Sequence, residues 1–206
     1  MSVSLSVAVM AHPRRDHLVP RLVDDLGITD DKVVWDTANN RWHTGRRAMA
    51  SYDPDCDWHV VVQDDAIVCA DFLEGMAQAL EYVPDDCIVQ PYVGTGRPIQ
   101  GYVQQAVDQA DAEGACWIEM RGMNWGVAVA VPTWTIESML VWCDRRTWPN
   151  YDKRVGQYYL SKLAWSTWYT WPALVDHMDP ERDGEASLVS HGGGRIAHRF
   201  LGRHRG

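Results

Sequence analysis

Two adjacent aspartates, Asp64 and Asp65, directly follow an apolar run at residues 57–63 (DWHVVVQ). Neighbouring carboxylates at the end of a buried strand repel each other, and burying them is costly unless a cation or donor lies beside them. Mg²⁺ and Mn²⁺ prefer oxygen ligands and commonly use one or two carboxylates together with substrate phosphates. The pair therefore predicts a site for Mn²⁺ or Mg²⁺ and a diphosphate. The alternative is a turn in which Asp65 caps a helix that begins near Asp71.

The first half of the chain alternates short apolar runs with segments of helical periodicity, which predicts strand-then-helix units. We expect strands at residues 4–11, 32–36 and 57–63, and helices at residues 16–26, 44–52 and 70–83. Such alternation favours a mostly parallel sheet with helices on both faces, whose ligands bind at the carboxyl ends of the strands. Asp36 ends the second strand and Asp64 follows the third, so both are expected at that edge.

The second half is less regular. We expect strands at residues 87–92 and 125–131, an extended segment at 168–175, and helices at residues 102–113, 133–144 and 152–163. A chain of 206 residues is long enough for one well-buried domain and too short for two ordinary ones. The prediction is a single α/β domain over residues 1–190, followed by a tail at 191–206.

The charge of the chain is unevenly distributed. Its net charge of −9 at pH 7 argues against a body built to lie along nucleic acid, whose phosphates demand a basic surface. The tail at residues 191–206 differs, since it holds four arginines and three histidines but no acidic residue. Two interpretations of the tail are open: a solvated end, or a segment that grips an anion such as a diphosphate.

The remaining composition narrows the class of protein. Eleven tryptophans stand against two phenylalanines; their flat faces suit stacking on sugars or nucleobases, although most can equally belong to a core. Five cysteines without a C-x-x-C pair indicate reduced thiols and a cytoplasmic location. No run of 18 apolar residues occurs, so membrane insertion is not expected.

The order of motifs in the first half resembles the nucleotide-binding half of GT-A-fold glycosyltransferases, and comes closest to small enzymes of this kind encoded by bacteriophages. The motifs are a strand, a His-Pro turn, a strand ending in Asp36, a Gly-Arg-Arg-Ala helix and then VVVQDDA. The resemblance implies a nucleotide-binding half at about residues 1–92 and an acceptor half at about 93–190.

The resemblance also implies roles for residues of the first half. His12, Pro13 and Arg14 would touch the nucleoside, and Asp36 would bind its base or ribose. The usual Asp-x-Asp motif is replaced here by Gln-Asp-Asp, which makes Asp65 the firmer metal ligand and Asp64 the second.

Weaker matches occur in the second half. NWGVAVAVP, which contains Trp125, resembles the glycine-containing acceptor-side segment, and Trp125 would contact the donor. YDKRVGQYY resembles the acidic helix start that supplies a base; Asp152 would take the acceptor proton, or simply cap its helix. WPALVDH…SLVSHGGG resembles the closing segment, where a histidine often completes the metal shell, and His177 and His191 compete for that place.

The function implied by the resemblance is transfer of a sugar from a nucleotide-sugar donor, first of all a UDP-sugar, to a hydroxyl acceptor. The acceptor would be a phage virion protein, a hydroxymethylated pyrimidine in phage DNA, or a glycan. Arg46, Arg47 or the tail arginines would help the metal to neutralise the departing diphosphate. Two alternatives stay open: a sugar-phosphate nucleotidyltransferase, and a non-catalytic nucleotide- or sugar-binding module.

Overall fold

The computed structural model describes residues 2–96, 100–163, 166–178 and 195–202. The strands within them are β1 (Leu5–Ala11), β2 (Val33–Trp35), β3 (Trp58–Gln63), β4 (Ala66–Val68), β5 (Ile88–Gln90), β6 (Trp117–Met120), β7 (Ala128–Pro132), β8 (Thr167–Thr170) and β9 (Val175–His177). The α-helices are α1 (Val19–Leu26), α2 (Arg41–Ala50), α3 (Phe72–Leu80), α4 (Gln100–Glu113), α5 (Ile136–Asp144) and α6 (Tyr151–Tyr158). Short 3₁₀ turns at Pro13–Leu18 and Thr133–Thr135 lead into α1 and α5, and a π turn at Tyr159–Leu163 extends α6.

Seven strands form one central sheet in the order β2-β1-β3-β7-β5-β8-β6. Strand β1 is parallel to both β2 and β3, and β5 is parallel to β8. Strand β7 is antiparallel to β3 and β5, and β6 is antiparallel to β8. Five of the seven strands therefore point the same way, which confirms the predicted mostly parallel sheet of an α/β domain. Strands β4 and β9 form a separate antiparallel pair.

Helices cover both faces of this sheet because the strands alternate their buried side chains between two cores. Val7 and Val9 of β1 pack into the core that contains α1 and α3. Ala8, between them, packs into the core that contains α2, α5 and α6. A third cluster joins α4 to β6 and β8. The sequence-predicted helices are all present. Because the single central sheet contains strands from both halves of the chain, the two halves form one domain.

Three strands were not predicted from the sequence, and one prediction needs correction. Strands β4 and β9 have three residues each, and β6 has four, which is too short for a clear alternating pattern. The extended segment expected at residues 168–175 is two strands in different sheets. A cis peptide bond at Trp171–Pro172 lies between them.

Helix α6 approaches its neighbours closely at two glycines. A Cβ placed on Gly45 of α2 would lie 2.4 Å from Cβ of Tyr151. A Cβ placed on Gly156 of α6 would lie 2.6 Å from Cβ of Met123. These two contacts require glycine. They hold the start of α6 against α2 and its last turn against the loop before β7.

Residues 195–202 of the basic tail pack against the domain. Ala197 is buried, and its N–H donates to Oδ1 of the buried Asp176 at 2.7 Å. The N–H of Thr95 donates to the carbonyl of Ile196, and the N–H of Ala173 donates to the carbonyl of Arg199. This part of the tail is therefore held by both the loop after β5 and the loop before β9. Residues 191–194 and 203–206 lie outside the described residues.

Candidate active site

The carboxyl ends of β1, β2 and β3 meet at one edge of the sheet, as the sequence predicted. The parallel register places Ala11 beside Trp35 and Met10 beside Gln63. The ladder continues past the strand ends, since the N–H of Asp36 donates to the carbonyl of Ala11 at 2.7 Å. His12 therefore emerges between Asp36 on one side and the acid pair on the other.

Both aspartates of the pair are buried, and they share one arginine. Asp64 has 1 % of its surface exposed and Asp65 has 7 %. Nη2 of Arg15 lies 2.6 Å from Oδ1 of Asp64; the two atoms form an ion pair but are not aligned as a hydrogen bond. Nη1 of Arg15 donates a hydrogen bond to Oδ2 of Asp65. The N–H of His12 donates to Oδ2 of Asp64 at 2.7 Å. One guanidinium thus bridges two carboxylates that would otherwise repel each other.

His177, at the end of β9, completes this cluster. Its Nε2 lies 3.3 Å from Oδ2 of Asp65, and its Nδ1 donates to the carbonyl of Met178. Burial opposes protonation of His177, but the Asp65 carboxylate outweighs burial and raises the pKa of the imidazole. Burial likewise works against the charge of Asp65, yet His177 and Arg15 hold its pKa below the ordinary value. His177 therefore takes up a proton more readily than an ordinary imidazole does.

The pKa values of the two carboxyl groups are shifted in opposite directions. Burial, and after it the charge of Asp65, raises the pKa of Asp64 above its ordinary value. Arg15 and the His12 N–H act against this shift without cancelling it. Asp65 is thus the anion of the pair, and Asp64 is the carboxyl group that is easier to protonate.

The fit of a divalent ion to this cluster is incomplete. Oδ1 of Asp65 is buried without a hydrogen-bond partner in the described part of the chain, as a ligand oxygen would be. However, Arg15 contacts the other oxygen of Asp65 and Oδ1 of Asp64. Among the described residues, no three His, Cys, Asp or Glu side chains are grouped to hold a metal. As arranged, the cation of this site is Arg15, and metal binding stays a prediction.

Asp152 lies in the first turn of α6 and is partly buried. Its Oδ1 accepts the N–H of Lys153 at 2.7 Å, and burial raises its pKa. A Cβ placed on Gly126 would lie 3.0 Å from Cβ of Asp152, so the glycine permits this close approach. The hydroxyl of the preceding Tyr151 donates to the carbonyl of Gly126. Burial, and then the charges of Asp152 and Asp65, raise the pKa of Tyr151, which places this phenol in the electrostatic reach of both acids.

Trp125 lies in an aromatic group beside His177. Its ring meets Tyr92 and Tyr169 edge to face, with centroids 5.6 Å and 5.7 Å away. Tyr92 in turn lies 6.5 Å from the His177 ring. Nε1 of Trp125 donates to the carbonyl of Gly96 at 3.2 Å. The half-buried indole is thus held rigidly next to the histidine of the cluster.

The other predicted donor residues have different surroundings. Pro13 and Arg14 are exposed on the 3₁₀ turn after β1. Oδ1 of Asp36 accepts two backbone N–H groups at 3.1 Å, and these bonds lower its pKa despite burial. Nε of Arg46 lies 3.0 Å from both carboxylate oxygens of Asp144 on α5. Arg46 is thus paired with another helix, and its contact with the donor stays a prediction.

Sequence reasoning missed two residues of the site. Arg15 was passed over in favour of its neighbour Arg14, because an Arg-Arg pair does not reveal which side chain turns inward. Tyr151 was overlooked beside Asp152. Arg195 is one of the tail arginines proposed to assist, and its charge lies close enough to His177 to oppose protonation of the imidazole. Of the two histidines proposed for the metal, His177 adjoins Asp65 and His191 lies outside the described residues.

Comparison of the sequence with protein-family models and with curated proteins finds no match. No helix in the described part of the chain is long and apolar enough to cross a membrane. The function is therefore inferred from the geometry of the Asp64–Asp65 cluster and from the resemblance of the motifs.

Proposed function

We propose that this protein is a glycosyltransferase of GT-A type that moves a sugar from a nucleotide-sugar donor to an acceptor hydroxyl. The observation that carries the proposal is the position of the buried Asp64–Asp65 pair. The pair lies at the carboxyl edge of a mostly parallel sheet, with Arg15 and His177 in contact and Arg195 nearby. Carboxyl edges of such sheets are where nucleotides bind.

The donor is proposed to bind across the ends of β1 and β2. Its diphosphate would lie near the cationic groups of this edge, Arg15 and Arg195, which can neutralise the charge that develops as the sugar leaves. His12 and Asp36 flank the end of β1 and are proposed to contact the nucleoside. The rigid indole of Trp125 is proposed to contact the donor beside His177.

Asp152 is proposed to be the general base. A carboxylate that removes a proton from an acceptor hydroxyl works better when its pKa is raised towards the working pH, and burial shifts Asp152 in that direction. The Gly126 contact packs one side of Asp152 closely, so an acceptor is proposed to approach from another side.

The proposal is tested by release of nucleoside diphosphate. Purified protein is incubated with UDP-, GDP- and TDP-hexoses, with and without Mn²⁺, and with three acceptors: virion proteins, duplex DNA containing hydroxymethylcytosine, and glycans. We expect one donor to be consumed in the presence of one acceptor, and Asp65→Asn to abolish the release. Release of pyrophosphate from a nucleoside triphosphate and a sugar phosphate would indicate a nucleotidyltransferase instead. Saturable binding without any release would indicate a binding module.

A further inference from the structure

Arg15 occupies the place that an ion would need. Its Nη2 lies 2.6 Å from Oδ1 of Asp64, whereas Mg²⁺ binds carboxylate oxygens at about 2.1 Å. An ion that joined this oxygen to Oδ2 of Asp65 would overlap the guanidinium, which already joins the same two oxygens. Arg15 also donates to Oδ2 of Asp65, so it closes the space between the two acids.

The charges of the cluster also disfavour a divalent ion while Arg15 is in place. The Arg15 guanidinium lies against both carboxylates, in a site that is largely shielded from water. A divalent ion placed beside these acids would be repelled by the guanidinium, and it would be attracted by carboxylates whose charge the guanidinium already offsets. Departure of Arg15 restores a net negative charge for the ion.

The polar groups of Arg15 are incompletely satisfied where they are. Its Nε is buried without a hydrogen-bond partner among the described residues, and so is Oδ1 of Asp65. A buried polar atom without a partner costs free energy, so the contact of Arg15 with the two acids carries an opposing cost. The Arg15 backbone interrupts the exposed 3₁₀ turn at Pro13–Leu18 with φ −122° and ψ 25°. Arg14 and Asp16, its neighbours on the turn, are exposed, so solvent lies beside Arg15.

We propose that Arg15 is the resident counter-cation of the Asp64–Asp65 pair, and that a divalent ion binds these carboxylates only when the Arg15 side chain leaves them. The displaced guanidinium is then available to the diphosphate that arrives with the ion, a step that rests on the proposed function. Arg15 is a positioning residue in this account, since it sets the charge and the access of the acid pair.

The test is titration of Mn²⁺ alone, followed by calorimetry, into the wild type, Arg15→Gln and Arg15→Lys. We expect Arg15→Gln to bind Mn²⁺ at least tenfold more tightly than the wild type, because both acids become available. Arg15→Lys should show a smaller gain, because its ammonium group keeps the positive charge but cannot span two carboxylates. This variant also serves as the test if Arg15→Gln does not fold. The matched control is Arg21→Gln on α1, which removes an equal charge from a residue that pairs with Asp25 and should leave Mn²⁺ affinity unchanged.

The gain must depend on the acids. Adding Asp65→Asn to either Arg15 variant should remove it. Equal Mn²⁺ affinity in the wild type and the Arg15 variants, or a gain that survives Asp65→Asn, would overturn the inference. A parallel titration with UDP separates the two proposals. Absence of UDP binding contradicts the proposed function and leaves the Mn²⁺ comparison intact. UDP binding together with unchanged Mn²⁺ affinity in the Arg15 variants overturns only the role of Arg15.

Discussion

At the scale of single residues, the site combines charged groups whose roles depend on burial. Asp65 is held as an anion by His177 and Arg15, and Asp152 is shifted by burial towards the range of a general base. These opposite shifts suit the different roles proposed for the two residues, a charge-binding carboxylate and a general base. Their positions are consistent with two different tasks at one edge of the sheet.

Asp152 provides the first prediction. Replacement by Asn keeps the size of the side chain but removes the base, so kcat for sugar transfer should fall by about 10²- to 10⁴-fold. Nucleotide affinity, measured by calorimetry, should stay within about twofold. Because burial raises the pKa of Asp152, wild-type kcat should also fall on acidification at a higher pH than an ordinary aspartate would give.

The control for this variant is Asp108→Asn on the exposed side of α4, which should leave kcat unchanged. An Asp152→Asn enzyme with wild-type kcat would show that this acid serves only the start of α6.

His59 provides a second prediction at the residue scale. It is fully buried in β3, donates from Nε2 to the carbonyl of Ala48, and accepts at Nδ1 from the hydroxyl of Ser6. Burial lowers its pKa from 6.5 to about 4. Above pH 6.5 both folded and unfolded chains hold it neutral, whereas between pH 6.5 and 4 only the unfolded chain binds the proton. Acidification across this window should therefore cost about 3 kcal/mol of unfolding free energy from His59.

Urea unfolding at pH 7.5 and pH 4.5 measures this cost. Asp64 contributes in the opposite direction, because its raised pKa favours proton uptake by the folded chain, so the comparison needs a variant. His59→Gln should lose less stability on acidification than the wild type. Identical losses in the two proteins would exclude His59 as the source.

At the scale of elements, the sequence predicted the repeating parts of the fold and missed those that depend on distant contacts. Strands β1, β2 and β3 and the helices between them follow from local periodicity, and so does the meeting of Asp36 with Asp64 at one edge. Strands β4 and β9 could not be predicted, because each has three residues and pairs with a segment more than a hundred residues away.

In the site, too, local patterns were predictable and distant contacts were not. The acid pair was recognisable because two adjacent aspartates after an apolar run are rare and costly. Arg15 was not recognisable, because its importance comes from the inward direction of one side chain on a 3₁₀ turn. Likewise, nothing in the sequence indicated that Arg46 would pair with Asp144 of α5.

The crossing of α2 and α6 yields a prediction at this scale. Gly45→Ala should lower the unfolding free energy by about 1–3 kcal/mol, because the new Cβ would overlap Cβ of Tyr151, which a rotamer change cannot move. Activity should fall as well, since Tyr151 precedes Asp152. Thermal and urea unfolding measure the effect.

Gly75→Ala in α3 is the matched control. The nearest heavy atom to its Cβ would be Cδ1 of Leu174 at 4.0 Å, an ordinary contact. This variant should gain up to about 1 kcal/mol from helix propensity. Equal behaviour of the two alanine variants would contradict the close packing described for α6.

At the scale of the whole molecule, residues 195–202 pack against the domain beside the site. Asp176 precedes His177 and accepts the N–H of Ala197, so the tail segment and the histidine that pairs with Asp65 share one support. Phe200 packs against the core that contains α1 and α3. The basic segment is in this respect part of the domain.

Truncation tests this conclusion. Deleting residues 195–206 should lower the unfolding free energy by at least about 2 kcal/mol, because Asp176 loses one buried hydrogen bond and the core loses Phe200. Deleting residues 203–206 removes two arginines and leaves these contacts in place, so this shorter truncation should keep the stability that the contacts provide. If the two truncations unfold alike, the packing of residues 195–202 contributes no stability.

The central claim is that a nucleotide binds at the carboxyl edge of the sheet, beside Asp64 and Asp65. A crystal structure of the protein soaked with UDP and Mn²⁺ tests it most directly. We predict density for the diphosphate next to these acids, with the Arg15 guanidinium turned away from them and the nucleoside near Asp36. A nucleotide bound at another edge of the sheet, or unchanged acids still bridged by Arg15 in crystals saturated with UDP and Mn²⁺, would contradict the account.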